Sequence, residues 1–248
     1  MFGRRKIAML VAEFLGTGVL TLVFLSVQRS TIGVPYFIAL AAGLTVVMAL
    51  FVVGETSGAH LNPAVTLALW TARKVGTLTG LLYIVVQLLG AWAAYGVYTY
   101  LVNSSFQPIG GHYTGRVLVA EAVGGLVLAL GWAAVAYRQW LAGSQATVIG
   151  LAYALAIIVA AVAGIGLVNP AVALGVRAWN IWGSMGWGTY VLGPVLGTVI
   201  GVNLYGLLFS PTGLLAAAPA TRTTAAAPAR TTRARATTRK RTTTRRKR

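Results

Sequence analysis

The chain has 248 residues, 57% of them hydrophobic and only 9% charged, with a mean hydropathy of +0.78. Soluble domains carry about 25% charged residues, so a soluble enzyme or binding domain is excluded and a protein that crosses a membrane several times is indicated. A net charge of +17 would suggest nucleic acid if it covered the whole surface, but 11 of the 20 Lys and Arg residues lie after Thr221, and the absence of cysteine excludes disulfides and thiolate-bound metal.

Arg4, Arg5 and Lys6 precede an apolar run over 7–27. It is long for a signal peptide, contains Glu13 and lacks a small-residue cleavage site, so it reads as the first span. A second span is expected over 34–53. Then comes Ser57-Gly58-Ala59-His60-Leu61-Asn62-Pro63-Ala64-Val65-Thr66. Asn62 suits a helix N-cap and Pro63 the first helical position, where no donor is needed. The helix-compatible stretch from Asn62 to Arg73, about 10 residues at ~1.5 Å each, crosses about half of a ~30 Å hydrocarbon core. A third span follows over 78–102, a polar connector over 103–115, and further spans over 116–137, 145–164 and 187–209. Before the last of these, Asn169-Pro170-Ala171-Val172 opens a second short helix reaching Trp179.

An internal repeat underlies this order. Glu13 in Ala12-Glu13-Phe14-Leu15-Gly16 and Glu121 in Ala120-Glu121-Ala122-Val123-Gly124 lie 108 apart, and Asn62 and Asn169 lie 107 apart. Each copy, about 8–102 and 116–209, holds three full spans. An odd number inverts the second copy in the membrane and turns the two short helices N-terminus to N-terminus. Backbone of that kind at mid-depth requires neighbouring protein or a water-filled cavity. Arg4, Arg5, Lys6, Arg73, Lys74 and Arg138 fall on one side, and Arg29, Arg116 and Arg177 on the other. The excess places both termini in the cytoplasm of a plasma or inner membrane. Residues 1–209 thus form a channel-like domain and 210–248 a disordered basic tail. With no aromatic after Phe209, the tail reads as a segment held near anionic lipid in preference to nucleic acid.

The two Asn-Pro-Ala motifs, Ala12 to Thr17, Tyr83 with Gln87, and Gly193-Pro194 together resemble the aquaporin and glycerol-facilitator family over residues 8–209. The resemblance implies an all-α membrane fold of six spanning helices and two re-entrant half-helices, a passive pore in each subunit, and a homotetramer. No cofactor, metal or catalytic group is expected. Asn62, Pro63, Ala64, Asn169, Pro170 and Ala171 would sit at the midplane, where two half-helix N-termini disfavour cations and the Asn amides orient water. The carbonyls of Gly58, Ala59 and His60, and of Ile165, Gly166 and Leu167, would accept hydrogen bonds along the path. Glu13 and Glu121 each cost several kcal/mol in a bilayer core unless paired, and their symmetric placement suits them to hold backbone N–H groups of the two loops.

Water-selective members of that family narrow the outer half of the pore with an aromatic residue, a His and an Arg directly after the second Asn-Pro-Ala. The matching positions here are Ala42, Ile157, Gly166 and Val172. That ring has no side-chain donor, so an unusually wide apolar filter is expected, with Arg177 near the outer mouth and either His112 and Tyr113 or Trp179 and Trp182 as candidates to narrow it. The resulting reading is a passive channel for water and neutral solutes of glycerol or urea size. A coupled secondary transporter and a non-conducting structural membrane protein remain the alternatives.

Overall fold

Helices account for the regular structure of the described residues, which are 3–29, 35–105, 114–179, 181 and 186–215 of the computed structural model. His112, Tyr113, Trp182 and the basic tail from 216 onward lie outside them. The first compact unit, Met1–Ala216, contains α1 (Arg4–Arg29), α2 (Pro35–Ser57), α3 (Pro63–Thr71), α4 (Thr77–Val102), α5 (Gly115–Tyr137), α6 (Ala142–Ala160), α7 (Pro170–Gly175) and α8 (Gly193–Phe209). A π-helical turn, Gly188–Leu192, leads without a break into α8. Among the described residues six helices are long and apolar enough to cross a membrane, the last running Gly188–Phe209. Large apolar side chains such as Leu40, Leu44 and Met48 on α2 and Leu81, Val85 and Leu89 on α4 stand exposed at helical spacing. An outward stripe of this kind belongs in lipid, and the protein is an integral membrane protein.

The boundaries depart from expectation where chain chemistry overrides hydropathy. Helix α2 continues beyond Val53 through exposed Glu55 to Ser57, because nothing in that stretch breaks a helix. Helix α6 stops at Ala160, four residues early, as the chain turns toward Gly166 at φ +71°. Pro194 stands inside the last span, where its missing N–H and its ring oppose regular α-helical bonding to the preceding turn. The π-helical turn just before it absorbs that mismatch.

The two short helices end alike. Arg73 and Arg177 adopt left-handed backbone (φ +59° and +60°), and each C-terminus closes with paired bonds: Lys74 N–H to Leu69 C=O (2.8 Å) and Arg73 N–H to Trp70 C=O (2.9 Å), then Ala178 N–H to Ala173 C=O (2.9 Å) and Arg177 N–H to Leu174 C=O (3.0 Å). The second helix stops at Gly175, short of the expected Trp179. With six residues against nine, α7 is about 9 Å long and α3 about 13 Å.

Packing repeats the inversion. Helix α1 pairs with α4 as α5 pairs with α8, and α2 meets α6 between the repeats, while α3 packs on α8 and α7 on α4, so each short helix rests on the other repeat. The crossings depend on missing side chains. A Cβ on Gly90 would collide with the Phe14 carbonyl, and one on Gly197 with the Ala122 carbonyl, at equivalent places in the two halves. Gly43 and Gly150 stand in mutual contact at the α2–α6 crossing, each Cβ falling 2.7 Å from the other's carbonyl oxygen. Gly90→Ala should therefore lower the thermal midpoint in detergent, at an overpacking cost of about 1–3 kcal/mol. Gly96→Ala on the same helix, where a Cβ meets nothing within 4 Å, should leave it unchanged or raise it slightly.

Candidate conduction site where the short helices meet

Each motif asparagine caps its own helix. Asn62 Oδ1 accepts from Ala64 N–H (2.9 Å), and Asn169 Oδ1 accepts from Ala171 N–H (2.9 Å) and Val172 N–H (3.3 Å). Their amide groups reach across the repeat boundary. Asn62 Nδ2 donates to Val168 C=O (2.9 Å), and Asn169 Nδ2 donates to Leu61 C=O (2.8 Å). These acceptors directly precede the opposite asparagines. The amides expected to be free for a passing molecule are thus partly committed to joining the two loops.

Leu61 and Val168 sit in left-handed backbone, at φ +50° and +45°. For a β-branched residue such as Val168 that is a rare conformation, costing about 1–3 kcal/mol. The buried carboxylates hold it in place. Glu13 accepts from Leu61 N–H (2.8 Å), His60 N–H (3.0 Å), Ser57 Oγ (2.7 Å) and Gln87 Nε2 (2.8 Å). Glu121 accepts from Leu167 N–H (2.7 Å) and Val168 N–H (2.6 Å). Both carboxylates thus accept from backbone N–H groups of the loops, with more partners in the first half than in the second. A further layer, Gln87 Nε2 to Thr66 Oγ1 (3.0 Å), Thr66 Oγ1 to Asn62 C=O (3.1 Å) and Tyr83 OH to Ser57 C=O (2.8 Å), stiffens the first loop. His60 Nδ1 lies 3.1 Å from Thr66 Oγ1, and its ring stands edge-on between Tyr83 and Trp132.

The six carbonyls of Gly58, Ala59, His60, Ile165, Gly166 and Leu167 accept no hydrogen bond from a described residue. Four of the six residues are buried, so their carbonyls call for donors other than the described residues, and water is the simplest. All four residues of the expected outer ring are buried. Ala42 is 1% exposed, Ile157 and Val172 are 0%, and Gly166 is buried, its missing Cβ leaving room for the Ile157 carbonyl. One turn before Ile157 on α6, Tyr153 brings its hydroxyl oxygen 3.0 Å from Asn169 Nδ2. Sequence reasoning passed over this residue. Its i−4 position relative to Ile157 is the signal that would have found it, since the two share a helix face.

With this geometry in hand, comparison with known proteins is decisive about ancestry. The family described as Major intrinsic protein matches residues 4–205. The chain belongs to the major intrinsic protein family. It is 32% identical to aquaporin-1 of Homo sapiens over 224 residues, 81% of each chain. Over 138 residues it is 33% identical to the probable aquaporin PIP2-7 of Oryza sativa subsp. japonica, so it spans about half of that relative, 48% of each chain. The solved structure of the aquaglyceroporin from Plasmodium falciparum shares its fold, with a TM-score of 0.68, 23% identity, and coverage of 83% of this chain and 98% of that one.

In this major intrinsic protein neither Arg177 nor Trp179, the described members of the outer group, takes the place of a filter Arg. Arg177, expected to line the mouth, has turned out of α7 at its C-terminus and lies against α4, with Nη1 3.4 Å from Tyr95 OH and the guanidinium 5.7 Å from the ring centroid. Trp179 is buried and donates its indole N–H to Pro170 C=O (2.7 Å), tying the following segment back to the motif. At the other end Lys74 stacks over Tyr137 at 4.0 Å and Arg138 faces Tyr205 at 5.8 Å.

Because both oxygens of Glu121 receive backbone N–H groups, an amide in its place must turn its NH₂ toward one of those donors. Glu121→Gln should destabilise the protein by about 1.5–3 kcal/mol, the range for a hydrogen bond to a charged group, read as a lowered thermal midpoint in detergent. Exposed Glu55→Gln should show no change.

Proposed function

We propose that this chain is a passive channel for water and small neutral solutes, with the path running past the two Asn-Pro-Ala starts. The observation that carries the reading is that six loop carbonyls on both sides of the crossed asparagines, four of them on buried residues, accept no hydrogen bond from a described residue. An immobile row of acceptors and a few amide donors can hand a water along while the two helix N-termini repel cations. In this proposal the ring of Ala42, Ile157, Gly166 and Val172 acts as an apolar sleeve that selects by size and dehydration cost. Small groups at Ala42 and Gly166 make it a wide sleeve, and no side-chain donor lines it.

Urea and glycerol belong to the same proposal as upper-size solutes. So do a homotetramer, termini on the cytoplasmic side, and a plasma or inner membrane. The grouping of Lys74 and Arg138 around Tyr137 and Tyr205 at one end of the bundle supports that orientation. A coupled transporter needs a site for a driving ion, and the chain has three acidic residues, two of them occupied by loop N–H groups.

Stopped-flow swelling of proteoliposomes in glycerol, urea and sorbitol gradients tests the reading. Water permeability should exceed that of empty liposomes and be indifferent to sodium and proton gradients. Uptake driven by either gradient would overturn the channel in favour of a transporter, and permeability equal to empty liposomes would favour a scaffold. For the tail we propose contact with anionic lipid. Removing residues 212–248 should leave permeability per protein unchanged and weaken binding to acidic vesicles, with the difference vanishing at high salt.

A further inference from the structure

An amide NH₂ has two hydrogens to donate. Among the described residues Asn62 spends one, on Val168 C=O, and keeps one. Asn169 spends both, on Leu61 C=O and on the Tyr153 hydroxyl. The halves therefore differ at the midplane, and the difference traces to a single position. Val46 stands 107 residues before Tyr153, the same offset as the two asparagines, and both side chains are 2% exposed. Where the first repeat puts an aliphatic side chain, the second puts a phenol. No described residue accepts from the phenol O–H, so the group that takes Asn169's second donor still has one of its own to offer.

We propose that Tyr153 sets the size selectivity of this pore and supplies the second donor at its midplane, moving the discriminating constriction from the outer ring to the asparagine pair. The inference rests on the channel reading above. A passing water at this level accepts from the remaining Asn62 N–H and from the Tyr153 O–H. Two donors hold its oxygen toward the helix N-termini, so the orientation that two free amides would impose is kept although one amide is occupied. A solute with a carbon skeleton needs room beside those donors, and the phenol ring fills it. The outer ring is a weaker sieve, because Ala42 and Gly166 give it small groups on two sides and none of its members is held by a side-chain hydrogen bond. Tyr153, in contrast, is pinned by Asn169, which is itself pinned by Leu61 C=O.

Full-length Tyr153→Val, Tyr153→Leu and Tyr153→Phe proteins in liposomes, each checked for monodispersity and native thermal midpoint, separate the possibilities. Tyr153→Val, which copies the residue of the first repeat, should raise the ratio of glycerol to water permeability several-fold. Tyr153→Phe keeps the ring and removes the donor, so it should still exclude glycerol, with no several-fold rise in the ratio, while water permeability per protein falls. If the valine variant fails to assemble, the leucine variant carries the same expectation. A native ratio in an assembled valine or leucine variant would overturn the proposal while the channel reading stands. An increase in the phenylalanine variant equal to that of the valine variant would also overturn it, since the ring would then not be the sieve. If neither the native protein nor any variant conducts, the channel reading fails and this inference with it.

Discussion

The fold closes on two crossed hydrogen bonds, Asn62 to the Val168 carbonyl and Asn169 to the Leu61 carbonyl. Each bond needs the acceptor's residue in left-handed backbone, and each such residue is pulled there by a carboxylate on its N–H side, Glu13 for Leu61 and Glu121 for Val168. Strain, buried charge and a capped helix start are thus one unit. None of the three is tolerable alone in a bilayer: the carboxylate lacks donors, the loop lacks partners, and the asparagine faces no opposite number. Glycines at the helix crossings serve the same unit by letting the long helices approach closely enough for Glu13 and Glu121 to reach the loops. Gly16 and Gly124 leave space for the Leu61 and Val168 side chains in turn.

The two halves carry that unit with unequal support. In the first, Ser57, Gln87, Thr66 and Tyr83 surround the Glu13 carboxylate and the loop above it. In the second, the places 107 residues on from Ser57 and Gln87 are Gly164 and Pro194, which offer no side-chain donor, and Glu121 is left with two backbone partners. Val168, the more strained of the two left-handed residues by its branching, therefore sits in the less braced loop. Trp179 offsets part of this deficit by bonding to Pro170 C=O from the far end of α7.

Much of this was legible in residues alone. The Glu13–Glu121 and Asn62–Asn169 spacings predict the inverted repeat, and Asn followed by Pro predicts both caps, because these depend on local chemistry repeated at a fixed interval. The acidic residues' role was legible for the same reason that it exists, since a carboxylate in an apolar helix must find donors. What lay hidden depends on where side chains end in space. Tyr153 looks like any aromatic in an apolar helix until its hydroxyl is seen beside Asn169. The early stop of α7 was equally hidden, because Arg177 entering left-handed backbone is a choice that its sequence neighbours do not announce.

That stop has an electrostatic consequence. Arg73 and Arg177 occupy the same place, the second residue beyond α3 and beyond α7, so each short helix carries a cationic residue next to its C-terminus, where the helix dipole is negative. The outer ends are partly neutralised and the inner ends are not. In the proposed channel two like poles would face each other with their compensating charges reduced at the far ends, and the shorter α7 brings the Arg177 backbone about 4.5 Å nearer its own helix start than that of Arg73, from the three-residue difference in length. A barrier to cations in that channel would lie in the terminations of the helices as much as in their meeting point.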